Sequence, residues 1–198
     1  MIGLTLDTSY LYASIAISEN DKILYFKNNE KVNRQAETLN LMIEEAIRNL
    51  KLSFKDLKYI AVTTGPGRFT GLRVGVCVGN ALHFALKVPL LPVCNLATIA
   101  FNHQEKNIGV VLEAGVEKYY FQEFNNKINI SPIKIIKKEE MCEIKKELYL
   151  VGNVDQVNDK FFLNAKHIAK FANYKLKNLK NLIPNYLKPQ YIINNYIA

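Results

Sequence analysis

Tryptophan is absent from this 198-residue chain, cysteine occurs only three times, and no acidic side chain follows Asp159. Cys77, Cys94 and Cys142 are odd in number and scattered, so they make neither a disulfide framework nor a metal-ligand pair. They suit a reducing, cytoplasmic setting, and Cys77, inside an apolar stretch, reads as buried filler rather than a nucleophile. A signal peptide is not expected, because Asp7 interrupts the apolar run that starts at Ile2. The longest central apolar run, Val74 to Leu86, contains Asn80 and His83 and is too short for a bilayer. His83, His103 and His167 lie far apart, so no two share a helix at metal-ligand spacing. Nor does spacing suggest a Ser-His-Asp or Cys-His grouping.

An apolar fraction of 49% and a charged fraction of 22% are those of a globular chain large enough for one large or two small domains. The net charge is +8, and Lys160, Lys166, Lys170, Lys175, Lys177, Lys180 and Lys188 follow Asp159 without a compensating acid. A segment of one sign attracts phosphate backbones or acidic partners. The chain is rich in Lys, Asn and Ile throughout, however, so compositional bias accounts for the segment equally well.

Three short strand-like runs, 2–6, 11–17 and 22–26, two of them alternating and all separated by turn residues, predict an antiparallel meander. A helix is expected over 34–50, with Ala36, Leu39, Ile43, Ala46, Ile47 and Leu50 on its apolar stripe. Ser53 and Asp56 suit a capping box. A strand at 59–63, a helix over 70–86 capped by Thr70, a strand at 89–93 and a helix capped by Asn95 complete the first half. The order β-β-β-α-β-α-β-α is that of a ribonuclease-H-like or actin-like ATPase subdomain. The second half echoes it in shortened form: strands at 108–113, 117–124 and 127–136, a helix at 138–146, a strand at 148–152 and a helix near 159–173. The expected organisation is therefore α/β, two actin-like subdomains at 1–103 and 104–198.

Glycine is scarce, yet it is concentrated in "TTGPGRFTGLRVG" at 63–75. A Walker A loop needs GxxxxGK[ST], and a dinucleotide fingerprint needs a glycine where Thr70 stands; both codes fail. What remains is a tight turn at Gly65 and Gly67, followed by a helix whose start suits an anion generically, with Arg68 and Arg73 nearby. Gly71, Gly75 and Gly79 recur every four residues along that helix. Each costs about 1 kcal/mol against alanine, so the stripe needs a gain from close approach of another backbone, within the fold or across a subunit interface.

The segments "LDTS" (6–9), "GPGRFTGLRVG" (65–75) and "VPLLPVCNLATIA" (88–100) resemble the bacterial TsaB (YeaZ) family of tRNA threonylcarbamoyladenosine biosynthesis proteins. "RQAETLNLMIEEA", "LEAGVEKYYFQEF" and "IPNYLKP" (183–189) resemble further motifs of that family. Gln35, Ala36, Arg68, Glu113 and Gly115 depart from its usual residues. The strong likeness covers roughly the first hundred residues.

The resemblance implies a scaffold without catalytic residues or a metal of its own. It would pair with a TsaD-like catalytic subunit and a TsaE-like ATPase, to which ATP or ADP and the metal belong, with a homodimer as the alternative pairing. Tyr174, Tyr186, Tyr191 and Tyr196 beside the lysines make tRNA contact auxiliary at most, since no recognition motif accompanies them. The first two helices would carry the partner contact through Leu39, Ile43, Ile47, Gly71, Leu72, Gly75, Val76 and Gly79. Asp7, Thr8, Ser9, Gly65, Gly67 and Arg68 would line a degenerate nucleotide cleft. The rival is an active actin-like ATPase or small-molecule kinase whose first phosphate loop is "DTSY", but that turn lacks the glycine such loops use. Asp7 alternatively caps the turn. A ribonuclease-H-like nuclease is disfavoured, because the strand "YIAVTTG" ends without an acid.

Overall fold

The computed structural model describes residues 1–29 and 31–178. In the first half, β1 (Ile2–Asp7), β2 (Ser14–Glu19) and β3 (Lys22–Asn28) precede α1 (Gln35–Asn49). Then come β4 (Tyr59–Gly65), α2 (Phe69–Leu86), β5 (Leu90–Cys94) and α3 (Asn95–Asn102). The sheet order is β3-β2-β1-β4-β5. β1 runs antiparallel to β2 and parallel to β4, and β4 is parallel to β5. β4 is buried along its whole length, as a central strand covered on both faces must be, whereas β3 at the edge is only partly buried. Ser53 and Asp56 form the expected capping box, on a single 3₁₀ turn between α1 and β4.

The second half comprises β6 (Asn107–Gly115), β7 (Lys118–Asn125), β8 (Ile128–Asn129), β9 (Lys134–Lys137), α4 (Lys138–Glu147), β10 (Tyr149–Gly152), β11 (Asp159–Lys160) and α5 (Ala165–Asn178). Its sheet order is β11-β10-β6-β7-β8, with β9 also on β7. Read from β8, and with β8 and β9 counted as two pieces of one strand, that order again runs third, second, first, fourth, fifth. The chain is thus two ribonuclease-H-like units of actin-like ATPase type, with the second abbreviated. The strand expected over 127–136 is split, because Pro132 has no N–H to give a ladder. Ser131 fills the gap: its hydroxyl accepts from the Glu123 amide at 2.9 Å and its carbonyl from Gln122 Nε2 at 2.9 Å.

The strands divide near residue 103, but their covering helices do not. Leu96, Ile99 and Ala100 of α3 pack on Ile108, Val110 and Val151 of the second sheet. Ile168 and Ala172 of α5 pack on Tyr59, Ala61, Leu91 and Val93 of the first. The last helix runs 165–178, not 159–173, since Asp159 and Lys160 pair with β10. Its first amide, on Ala165, donates to Ser14 Oγ at 2.8 Å, joining it to β2. α2 is long and apolar enough by composition to cross a bilayer, five residues longer than the run counted from Val74. Here it is a layer of the fold, with Gly71, Leu72, Gly75, Val76 and Gly79 buried.

Candidate functional site

β1 and β4 are parallel neighbours, and both end at the same edge of the first sheet, where α/β folds hold their sites. The residues there are polar yet buried: Thr5, Asp7, Thr8, Ser9, Thr63, Thr64 and Asn95 are at most 3% exposed. Asp7 organises them. Its Oδ1 accepts from the Ser9 amide at 3.0 Å, Ser9 Oγ at 2.6 Å and Thr63 Oγ1 at 3.2 Å. Burial raises the Asp7 pKa above its ordinary value, and these three bonds offset the shift only in part. The aspartate therefore caps its own turn, as expected of an Asx residue after a strand.

The glycine loop is fitted around that turn. The Arg68 amide donates to the Ser9 carbonyl at 2.8 Å. Asn95 Nδ2 donates to the Pro66 carbonyl at 2.8 Å, and Gln35 Nε2 to the Tyr10 carbonyl at 2.6 Å. A Cβ on Gly67 would come within 2.7 Å of the Ser9 carbonyl, one on Gly71 would overlap the Thr8 carbonyl, and one on Gly75 would strike the Thr8 hydroxyl. The missing side chains thus form a trough, and the chain's own Thr8–Ser9 segment lies in it. Gly65 has a separate reason: its φ of +111° is open to few other residues. Asp7, Thr8, Ser9, Gly65, Gly67 and Arg68 do come together.

Between the two sheets lies a cavity of about 340 Å³ lined by Asp7, Tyr10, Arg68, Glu113, Asn153 and Phe162 among others. Arg68 also borders a 250 Å³ cavity with Gly67, Glu113 and Tyr120, and a 490 Å³ one with Asn33, Gln35 and Thr70. It is the cation common to all three. The Thr8 hydroxyl, the Tyr10 hydroxyl and Asn95 Oδ1 are buried without a hydrogen-bond partner among the described residues. No group of three His, Cys, Asp or Glu side chains suited to a metal converges among the described residues. Tyr10, Thr63, Asn95, Asn153 and Phe162 were not legible as site residues. The Thr-Thr ending of a buried strand was the available signal for Thr63; the others depend on remote segments meeting.

The residues expected to meet a partner lie elsewhere than predicted. Leu39, Ile43, Ile47, Leu72 and Val76 are buried, and Gly71, Gly75 and Gly79 face Thr8, Val62 and Leu90. The stripe serves the protein's own core, because α2 must sit close enough to β1 and β4 to cover the Thr8 turn. The outward face is made of others. Leu41 on α1 and Phe69 and Phe84 on α2 are 63%, 50% and 73% exposed, while Val74, Val78 and Leu82 are only partly covered. Arg73 stacks over Phe69 at 4.7 Å and Lys87 over Phe84 at 4.1 Å. Cys77 is exposed on this face, not buried, since it falls opposite the glycines. The helix starts are also corrected. Arg68 precedes α2 and Cys94 precedes α3, neither with a side-chain cap, because Asn95 is committed to Pro66 and the helix begins one residue before Thr70.

A family model described as TsaD, tRNA N6-adenosine threonylcarbamoyltransferase, matches residues 30–185. The chain is 30% identical over 197 residues to the tRNA threonylcarbamoyladenosine biosynthesis protein TsaB of Buchnera aphidicola subsp. Schizaphis graminum, covering 93% of this chain and 89% of that one. To the tRNA N6-adenosine threonylcarbamoyltransferase of Leptospira interrogans it is 43% identical, but over 60 residues, 18% of that protein. The structure of YeaZ from Pseudomonas aeruginosa superposes with a TM-score of 0.77 at 19% identity, over 96% of this chain and 99% of that one.

Proposed function

The chain belongs to the TsaB (YeaZ) branch of the TsaD family, proteins of tRNA threonylcarbamoyladenosine biosynthesis, and from that premise we propose that it is a non-catalytic subunit of the modifying complex. It pairs with a TsaD-like catalytic subunit and recruits a TsaE-like ATPase. The partners hold the nucleotide and metal, and they transfer a threonylcarbamoyl group from its adenylate to N6 of adenosine 37 in tRNAs that read codons beginning with A.

One observation carries the reading: the glycine trough is filled by the chain's own Thr8 and Ser9. In an ATPase of this fold type, glycine at such a turn lets the backbone approach a phosphate. Here Gly67 and Gly71 admit the Thr8 and Ser9 carbonyls instead, and a carbonyl oxygen repels a phosphate. The Arg68 amide, just before α2, is spent on the Ser9 carbonyl. The outer face of α1 and α2, with Leu41, Phe69 and Phe84, supplies the apolar surface that a partner helix pair covers.

The test uses the purified chain and the catalytic subunit together. The chain alone should neither turn over ATP with magnesium nor modify tRNA, and the chain with the catalytic subunit, the TsaE-like ATPase and the threonylcarbamoyl-adenylate should modify tRNA. Phe84→Glu, on the exposed face, should weaken the heterodimer about a hundredfold while leaving the unfolding midpoint unchanged. Sustained ATP turnover by the isolated chain would instead support an active ATPase or small-molecule kinase.

A further inference from the structure

Among the described residues, α5 leaves one lengthwise face uncovered. Lys166, Lys170, Tyr174 and Lys177 are all exposed, at i, i+4, i+8 and i+11, and so lie along about 17 Å of one side. The opposite side, with Ala165, Ile168, Ala169, Ala172 and Asn173, is buried on the first sheet. The helix itself contains no acidic residue. Among the described residues, Asp21 is the carboxylate that pairs with this face, through Lys177. Lys166 rests its ammonium 4.1 Å from the Phe26 ring centroid, and Lys170 has no ion-pair partner among the described residues.

Tyr174 is the aromatic in the middle of this basic stripe. It is 51% exposed, yet its ring is held from behind by Phe101 at 4.8 Å, and Phe101 in turn packs on Phe171 at 5.1 Å. Lys127, from the turn after β7, lies 5.0 Å over Phe101 and adds a cation at the edge of the patch. Lys175, however, is turned inward beneath Phe171, 3.4 Å from the Pro92 carbonyl, and burial lowers its pKa. Of the lysines expected in a basic tail, Lys166, Lys170 and Lys177 therefore form the surface. Lys180 and Lys188, with Tyr186, Tyr191 and Tyr196, lie outside the described residues.

We propose that this face of α5 binds single-stranded RNA, with a base stacked on Tyr174 and the flanking phosphates held by Lys166, Lys170 and Lys177. The inference rests on the reading that the chain works on tRNA, and it assigns the contact to one helix face. A ring already fixed by its neighbours loses little freedom when a base stacks on it, and every base has a π-face to offer. Lysines one and two helical turns apart match a charged strand lying along the helix. An anionic membrane is the poorer match, since the stripe presents one aromatic ring and no aliphatic side chain for insertion.

The experiment measures binding of the full chain to an unstructured RNA oligonucleotide and to tRNA across a salt series. Replacing Lys166, Lys170 and Lys177 by Gln should flatten the plot of log affinity against log salt by about 2, at about 0.7 for each phosphate contact on a single strand. Tyr174→Ala should weaken binding about tenfold or more, and Tyr174→Phe should keep it. Replacing Lys118, Lys138 and Lys146 by Gln removes the same charge from the second sheet's side and should leave affinity unchanged. Equal losses from both lysine sets, no loss in Tyr174→Ala, or binding to phosphatidylserine-rich vesicles without binding to RNA would each overturn the proposal. Co-elution with the catalytic subunit is measured separately. If the native chain co-elutes but the α5 variants bind RNA normally, this inference fails and the scaffold reading stands. If co-elution fails but the α5 losses are seen, the reverse holds.

Discussion

The turn after the first strand is buried in one sheet and bare in the other, although the two sheets share a strand order. In the first, Thr8 and Ser9 have no exposed surface. In the second, Val116 is 92% exposed and a Cβ on Gly115 would meet nothing within 4 Å. The crossing from fourth to fifth strand makes the difference. In the first half it is the 18-residue α2, whose glycine side lies on the turn. In the second it is residues 153–158, held by the Asn158 amide to Leu150 at 2.8 Å and by Leu150 to Asn158 Oδ1 at 2.9 Å. The same topology thus gives a packed polar cluster only where a helix comes down over the strand ends. The candidate site is a property of α2 as much as of β1 and β4.

Glycine substitution separates the two cases. Gly71→Ala drives a methyl group into the Thr8 carbonyl, a backbone atom that cannot rotate away, and should cost about 3 kcal/mol or more. Gly115→Ala meets no neighbour, and its cost is the strain of φ +142°, on the order of 1–2 kcal/mol. Urea midpoints of the two variants measure the contrast. Similar losses at both positions would mean that the trough is not tight and that the α2 account of the buried turn is wrong.

A smaller effect tests the exchange of helices. Tyr59, on the inner strand β4 of the first sheet, donates to Asn173 Oδ1 at 2.6 Å, and Asn173 Nδ2 donates to the Asn20 carbonyl. Asn173→Ala leaves the buried Tyr59 hydroxyl with only Ser18 Oγ at 3.3 Å, and should cost about 1–3 kcal/mol. Because α5 covers the first sheet, the loss should appear as faster amide exchange in β1 and β4 rather than in β6 and β7. Faster exchange confined to β6 and β7 would place α5 energetically with the second sheet.

Much of this was legible in advance, and the rest failed for identifiable reasons. Element order, the capping box at Ser53 and the Asp7 turn depend on local patterns, and local patterns are what a sequence displays. Gly71, Gly75 and Gly79 were legible as a close-contact stripe, but not what they contact. For Gly71 and Gly75 the answer, Thr8, stands some sixty residues away, and periodicity carries no information about that distance. Leu39, Ile43 and Ile47 read as the apolar side of a helix, which suits a core and an interface alike; only the position of α2 decides between them. Cys77 was misplaced for a related reason. An apolar helix looks buried all round, and this one covers its sheet with the glycine side while Cys77, Phe69 and Phe84 remain outside. The exchange of α3 and α5 between sheets left no trace, since each helix is amphipathic whichever sheet it meets.

The finest difference between the two first strands lies at their ends, where Asp7 is buried and Glu113 is exposed. Burial raises the Asp7 pKa above its ordinary value of 3.8. A carboxyl with a raised folded pKa favours the folded state fully below its unfolded value, and that contribution is lost as pH rises through the folded value. At neutral pH the ionised carboxylate is therefore a standing cost, offset in part by the bonds from Ser9 and Thr63. Asp7→Asn keeps an oxygen to accept those bonds and removes the charge. Its unfolding temperature should exceed that of the native chain at pH 7, and the gain should shrink toward pH 4. This is the smallest of the three effects, because the asparagine amide must find an acceptor of its own. Glu113→Gln removes a charge from the matching exposed position, and a gain of the same size and pH dependence there would rule out burial as the cause. A loss of stability in Asp7→Asn that grows with pH would show instead that the carboxylate is held by a cation in the cleft, for which Arg68, lining the same cavity, is the candidate.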